Sequence, residues 1–247
     1  MREPHRVCLI AGATGGIGQA IANQLAKSGF SVFLGYCKGA DAAQKLAAKI
    51  CEGGGQAEPV ELDLSSSSSA ETVCGEVERT TGRLDVLVNC AALNVEAPAV
   101  GMDDETWDAV LTTNLAGAFR LCRAAARPMV LNRWGRIVNM SSIAASRGGR
   151  GQVNYAVSKA GVETLTRVLA LELGRKGVLV NCVAPGIIET PLSARVRKEH
   201  GDVLLDQISV RRYGQPIDVA RVVAFLASDA AGYVNGQVIR VDGGFGL

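Results

Sequence analysis

The stretch "VCLIAGATGGIGQAIANQLA", residues 7–26, decides the fold. A short apolar run comes first, then Gly12-Ala13-Thr14-Gly15-Gly16-Ile17-Gly18, then a segment of helical composition. The spacing is G-x-x-x-G-x-G, placed between a strand and a helix, the context a dinucleotide fingerprint requires. Glycine there permits a tight turn and lets the backbone approach a pyrophosphate at the helix N-terminus.

The same rhythm continues outward. Strand-like runs "RVCLIA", "FSVFLGY", "AEPVELD", "LDVLVN", "GRIVNM", "VLVNCVA" and "GQVIRVD" alternate with helical stretches at 17–28, 41–52, 69–80, 105–131 and 153–174. Most of the strands are unbroken Val/Ile/Leu segments, as expected where both faces are covered. Alternation of this kind predicts an α/β fold, a doubly wound parallel sheet of about seven strands with helices on both faces, binding ligands at the carboxyl ends of its strands. No repeat and no linker interrupts it, so residues 1–247 read as a single domain. The serine run 65–69 follows a strand and reads as helix capping. Residues 187–213 are long, polar and dotted with basic side chains, and read as a helical flap over the site.

Hydrophobic residues make up 48% and charged residues 20%, enough for a substantial core. Mean hydropathy is +0.18, yet no stretch approaches the ~18 consecutive apolar residues of a membrane helix. The opening "MREPHRVCLIAGA" reads as a first strand and not a secretion signal. A net charge of +2 gives no reason to expect nucleic-acid binding. The seven cysteines form no CxxC pair, and with only His5 and His200 in the chain no metal site is expected. A reducing, cytoplasmic setting is the default.

Cofactor choice is read at the end of the second strand, where an acid would accept hydrogen bonds from a ribose 2′-hydroxyl. The chain has Gly35-Tyr36-Cys37-Lys38 there and no acid before Asp41. Lys38 can pair with a 2′-phosphate, so NADPH is expected over NADH. Asp63, ending the third strand, is placed to reach the adenine edge.

In "NYAVSK", residues 154–159, Tyr155 and Lys159 are one helical turn apart. Apolar residues at 153, 157, 165, 169 and 173, in a row with Gly161, predict the buried stripe. The pair then lies about 200–240° around the helix from that stripe, at ~100° per residue. A solvated surface pair is the bland reading. Ser142, thirteen residues before Tyr155, makes a chemical one possible.

With these elements together the sequence closely resembles the short-chain dehydrogenase/reductase family over essentially the whole chain. The matching features are GxxxGxG at 12–18, "LVNCAA" at 87–92, Asn114, Ser142, YxxxK at 155–159, "PGIIET" at 185–190 and the terminal "GYVNGQVIRVDGGF". The resemblance implies a Rossmann-type NADP site formed by the glycine loop with Lys38, Asp63, Leu64, Asn89, Ala91, Tyr155, Lys159, Pro185, Gly186, Ile188 and Thr190. Thr190 matches the position that binds the nicotinamide carboxamide. Tyr155 is implied as proton donor, with Ser142 on the carbonyl oxygen, Asn114 holding a water toward solvent, and Lys159 also bonding the nicotinamide ribose. A phenol has an ordinary pKa of ~10, and an adjacent ammonium is expected to lower it. Two departures concern the cofactor's supports: Ala11 stands where the family has threonine, and Asn89-Cys90-Ala91-Ala92 replaces Asn-Asn-Ala-Gly. The glycine loop also lacks the family's frequent basic residue.

Within the family the pattern is most similar to the 3-oxoacyl-[acyl-carrier-protein] reductases. That resemblance implies a 3-oxoacyl thioester, presented by carrier protein or coenzyme A in fatty-acid or polyketide synthesis. Arg133 and Lys176 match basic positions that dock the acidic carrier. A carbonyl or secondary-alcohol oxidoreductase for free small molecules is the alternative, and a silent nucleotide-sensing subunit a remote one. Apolar Ala156, Ala160, Val162, Val168 and Leu171 on one helix, with Leu115, Phe119 and Cys122 on another, suggest helix pairing in a homo-oligomer, a tetramer by resemblance.

Overall fold

Val7, Leu9 and Ala11 pack against one face of the sheet while Cys8 and Ile10 pack against the other, which is why the first strand carries no polar alternation. The structure is a computed structural model and describes residues 5–246; the charged start, residues 1–4, lies outside the described residues. Seven strands, β1 (Val7–Ala11), β2 (Ser31–Tyr36), β3 (Gln56–Glu61), β4 (Val86–Asn89), β5 (Gly135–Met140), β6 (Val178–Pro185) and β7 (Val238–Val241), form one sheet. Their order is β3-β2-β1-β4-β5-β6-β7 and every pairing is parallel. β3 sits at an edge, where Pro59 costs no ladder hydrogen bond to a further strand.

The helices are α1 (Gly16–Lys27), α2 (Ala40–Glu52), α3 (Ser69–Thr81), α4 (Asp104–Leu111), α5 (Gly117–Leu131), α6 (Ala144–Arg147), α7 (Val153–Leu173), α8 (Ala194–Asp206) and α9 (Pro216–Ala227). Ile21 and Leu25 of α1, Leu46 and Ile50 of α2 and Val219 and Val223 of α9 share a core on one face of the sheet. Val73 and Val77 of α3, Leu121 and Met129 of α5 and Ala170 of α7 belong to the core on the other. Among the described residues no helix is long and apolar enough to cross a membrane.

Two expectations are corrected. The helix predicted over 105–131 is not continuous: α4, capped by the Asp103 carboxylate on the Thr106 N–H at 2.7 Å, gives way to a π turn at Thr112–Ala116 before α5 begins. Inserted π turns concentrate at functional sites, and this one holds Asn114. The second concerns the stripe on α7. The sheet-facing row is Asn154, Ser158, Val162, Thr166 and Ala170, all buried, whereas Val153 and Val157 are exposed. Polar members of the core row are satisfied locally: Asn154 Nδ2 donates to Val95 O (3.1 Å), Ser158 Oγ to Tyr155 O (2.7 Å) and Thr166 Oγ1 to Val162 O (2.8 Å). Hydropathy therefore found only one flank of the buried face: Leu165, Leu169 and Leu173 pack half-buried against the core, while Val153 and Val157 do not. Tyr155 and Lys159 flank the core face instead of opposing it, and Lys159 is buried. Val162 and Cys122 likewise belong to the core, so of the residues expected to pair helices only Phe119, Val168 and Leu171 are exposed.

Candidate active site

The strand order reverses at β1 and β4, and loops leaving their carboxyl ends part to form a crevice. A cavity of about 940 Å³ opens there, lined by Ile17, Cys90, Ser142, Tyr155, Lys159 and Thr190 among others. Gly12 has φ +74 and packs so tightly on the next loop that a Cβ would lie 2.7 Å from Ala91 Cα. The amides of Gly12 and Ala13 both donate to Gly35 O at 3.0 Å, fastening the loop to β2. A Cβ on Gly16 would meet Thr190 Cγ2 at 2.8 Å, so the glycine loop and the 185–190 loop touch across the crevice.

These residues fit a dinucleotide. Gly15 caps α1 with no side chain, leaving the first-turn N–H groups without a side-chain acceptor. Asn89 is buried at the end of β4 and its Oδ1 has no partner, an acceptor awaiting a donor. Leu64 is buried, Thr14 is half-buried, and Pro185, Gly186 and Ile188 shape the opposite wall. Gly186 N donates to Val241 O at 2.9 Å, fixing that wall to β7. Lys38 is exposed just past β2, at the outer end of the crevice, outside the cavity lining. Asp63 lies beside it, its carboxylate accepting from Ser65 N (2.9 Å) and Ser65 Oγ (2.7 Å), which holds its pKa below the usual carboxylate range. The same carboxylate meets the Cys37 thiol, whose pKa is raised by burial first and by Asp63 second. Of the two departures, Ala11 is fully buried and its carbonyl takes the Cys90 amide at 3.0 Å, so both sit directly behind the glycine loop.

Deeper in the cavity the three reactive side chains meet. The Lys159 ammonium donates to Met140 O at 2.8 Å and lies 5.6 Å from the Tyr155 ring centre. The Tyr155 ring and Ser142 share the same cavity wall, where the Ser142 Oγ accepts from Ala144 N at 3.2 Å. Asn114 stands behind them and does not line the cavity. Its Oδ1 accepts from Leu93 N (2.7 Å), while Nδ2 donates to Leu93 O (2.8 Å) and Ser158 Oγ (3.1 Å). The π turn thus braces both the loop after β4 and the turn of α7 that carries Tyr155.

The expected downward pull of Lys159 on Tyr155 is not what the geometry gives. Burial pushes the Tyr155 phenol up to about 12, against the opposing hydrogen bond from Ser142. Burial also lowers the pKa of Lys159. Tyr155 is therefore protonated at neutral pH, the form a proton donor must have.

Several lining residues carry no sequence signal because they come from separate segments. Glu96 accepts from Gln152 Nε2 at 3.0 Å and pairs with Arg195 of α8 across the mouth. Arg147 donates to Phe245 O at 2.9 Å and stacks over that ring at 4.9 Å, closing the far end with the chain's terminal segment. Leu192 and Val196, from the polar segment after β6, complete this side. Arg133 and Lys176, by contrast, lie outside the cavity. They precede β5 and β6, at the amino-terminal ends of the strands, opposite the carboxyl ends where Ser142 lies. The two turns touch, since a Cβ on Gly177 would lie 2.1 Å from Arg133 O.

Comparison with known proteins agrees along the whole length. A family model described as enoyl-(acyl carrier protein) reductase matches residues 12–246. The 3-oxoacyl-[acyl-carrier-protein] reductase FabG of Pseudomonas aeruginosa is 40% identical over 239 residues, 97% of this chain and 96% of that protein. The FabG of Thermotoga maritima is 40% identical over 245 residues, 99% of each chain. A crystal structure from Beutenbergia cavernae with bound NADP, described as an NAD(P)-dependent gluconate 5-dehydrogenase, superposes with a TM-score of 0.93 at 40% identity, covering 97% of this chain and 96% of its own. By sequence, sheet order and the Ser142–Tyr155–Lys159 grouping alike, the chain belongs to the short-chain dehydrogenase/reductase family and is an NADP-dependent oxidoreductase.

Proposed function

We propose that this protein reduces the 3-oxo group of an acyl thioester, carried by acyl carrier protein or coenzyme A, to the 3-hydroxy group at the expense of NADPH. The observation that carries the reading is the meeting of Ser142, Tyr155 and Lys159 in one cavity wall, with the Lys159 ammonium held by Met140 O at 2.8 Å and lying 5.6 Å from the Tyr155 ring centre. When bound, the nucleotide supplies a hydride to the carbonyl carbon. Ser142 hydrogen-bonds the carbonyl oxygen and Tyr155 gives that oxygen its proton, so one hydride and one proton complete the alcohol. Lys159, held by Met140 O, steadies the tyrosinate left behind. Asn114 has both amide hydrogens committed to Leu93 and Ser158, and a water beside it completes the path by which Lys159 is resupplied. The segment 187–213, with α8, is the flap over this chemistry, and Leu192, Arg195 and Val196 are its inner surface.

Lys38 is the cation assigned to the 2′-phosphate. Lys38→Ala is expected to lower kcat/KM for NADPH about tenfold, the worth of one charge-assisted hydrogen bond, and to leave NADH unchanged. Steady-state kinetics with both nucleotides check it.

Substrate presentation is read from the two distant cations. α7 runs from the cavity mouth at Val153 to Leu173, just before Lys176, and its exposed Val157, Val168 and Leu171 lie along the way. Phe119 and Leu131 of α5, with Leu169 and Leu173 of α7, line a second, surface cavity of about 530 Å³. We assign this face to an antiparallel pairing of subunits within a tetramer. Such a pairing carries Lys176 of the partner subunit toward this chain's cavity mouth, so the carrier docks on one subunit and is served by the other. The double variant Arg133→Glu/Lys176→Glu is expected to raise KM for carrier-borne substrate about tenfold through lost steering, with coenzyme A substrate unaffected. Light scattering is expected to show an oligomer in both proteins, and a monomer would remove the route.

The polar wall of Glu96, Gln152 and Arg147 favours a second reading, a carbonyl reductase for free polyols or hydroxy acids. Kinetics on matched carrier-bound, coenzyme A-bound and free β-keto substrates decide it; turnover of the free compounds alone would sink the thioester reading. All seven cysteines are free, which suits the reducing cytoplasm we assign.

A further inference from the structure

Three consecutive residues, the last of β5 and the two after it, face α7. Met140 O accepts the Lys159 ammonium at 2.8 Å, Ser141 Oγ donates to Glu163 Oε1 at 2.8 Å, and Ser142 shares the cavity wall with Tyr155. On the helix the partners are 155, 159 and 163, one row at a spacing of four. The contacts do not follow sequence order, and the two that flank Ser141 in the tripeptide belong to the reacting groups. Glu163 is not among the cavity-lining residues.

We infer that Glu163 is a positioning residue: through Ser141 it fixes the tripeptide 140–142, and so sets the Lys159 ammonium and the Ser142–Tyr155 hydroxyl pair in register. Ser141 has one hydrogen and three acceptors within reach, Glu163 Oε1 at 2.8 Å, Lys159 O at 3.3 Å and Ser142 O at 3.5 Å. The carboxylate is the nearest and takes it. Both ends are sheltered, Ser141 at 4% exposure and the Glu163 side chain at 16%, so the bond is not diluted by water. Ser141 N donates to Val183 O at 2.8 Å, which leaves its side chain as the group that ties this part of β5 sideways to the helix. The other carboxylate oxygen meets only Arg167 Nη2 at 3.5 Å, a loose contact that leaves Glu163 free to hold Ser141. Without this bond the residue between two catalytic anchors loses its tether to the helix that carries both their partners.

The inference rests on the proposed roles of Tyr155, Lys159 and Ser142, and the experiment separates the two. Glu163→Ala, Ser141→Ala, the double variant, Glu163→Gln and Tyr155→Phe are assayed with acetoacetyl-coenzyme A and NADPH, or with the matched free β-keto compound if only that is turned over. NADPH affinity is read by fluorescence. Glu163→Ala and Ser141→Ala are each expected to lower kcat about tenfold, the worth of one hydrogen bond, with substrate KM and NADPH Kd within about twofold of wild type. The double variant should be no worse than either single one, as for two ends of one bond, and Glu163→Gln, which still accepts from Ser141, should recover most of the rate. Should Glu163→Ala fail to fold, Ser141→Ala removes the same bond with the loss of one atom and decides the matter. A wild-type kcat in Ser141→Ala, multiplicative losses in the double variant, or a Glu163→Gln as slow as Glu163→Ala would each overturn it. Wild-type rates in Tyr155→Phe would overturn the reading of the site itself; an inactive Tyr155→Phe beside a fully active Glu163→Ala would overturn the role of Glu163 alone.

Discussion

Tyr155→Phe is expected to lower kcat by about 10³-fold, within the range for loss of a positioned general acid, while NADPH binds as before. The change removes one oxygen from a ring that is already largely buried, so the fold has little to repack. What goes is the proposed proton donor, which shares the cavity wall with Ser142. Lys159 cannot substitute. Its ammonium is turned to Met140 O at 2.8 Å, and burial already lowers its pKa. Single-turnover oxidation of NADPH would measure the chemical step directly. An unchanged rate there would mean that the proton comes from solvent and that the Ser142–Tyr155 pair does something else.

Gly18→Ala is expected to abolish nucleotide binding. A Cβ at that position would lie 2.2 Å from Gly12 O and 2.9 Å from Ala13 Cα. Both are backbone, so nothing flexible can yield, and either α1 or the glycine loop must move. Overpacking of that kind costs about 1–3 kcal/mol, and in a protein of this size each kcal/mol lowers Tm by roughly 2–4 °C. The larger loss is functional, because the shifted loop no longer presents its amides to a pyrophosphate. Wild-type Tm should rise with added NADPH through binding linkage, whereas the variant's Tm should not respond. Gly15→Ala is the control: its Cβ would meet only Gly12 O, at 3.5 Å, and the melting temperature should hold.

The parts of the molecule legible from sequence are those where one local rule dominates. Unbroken apolar runs such as Val7–Ala11 are dictated by burial on both faces, and the glycines at 12, 16 and 18 by contacts that exclude a Cβ. Strand limits followed closely, with β3 shortened to Gln56–Glu61 at the sheet edge. The orientation of α7 was not legible. Its core row contains Asn154, Ser158 and Thr166, which look solvated until their hydrogen-bond partners are known. The same helix presents Val153, Val157, Val168 and Leu171 to the outside, so apolarity and burial part company along it. Glu163 carries no sequence signal for the same reason. The walls built by Glu96, Arg147 and Phe245 unite segments as far apart as the fourth strand's loop and the chain's end, and no spacing rule links them. The phenol's upward shift depends on burial that only the assembled cavity supplies.

Met140 performs two unrelated jobs with two different parts of itself. Its carbonyl holds the Lys159 ammonium, while the residue also lines the cavity where substrate is received. A main-chain oxygen survives nearly every substitution, whereas the Met140 side chain is buried in the core with Val138 and Val183. What limits exchange at 140 is therefore packing: the acceptor of the ammonium stays in place whichever residue fills the space behind it.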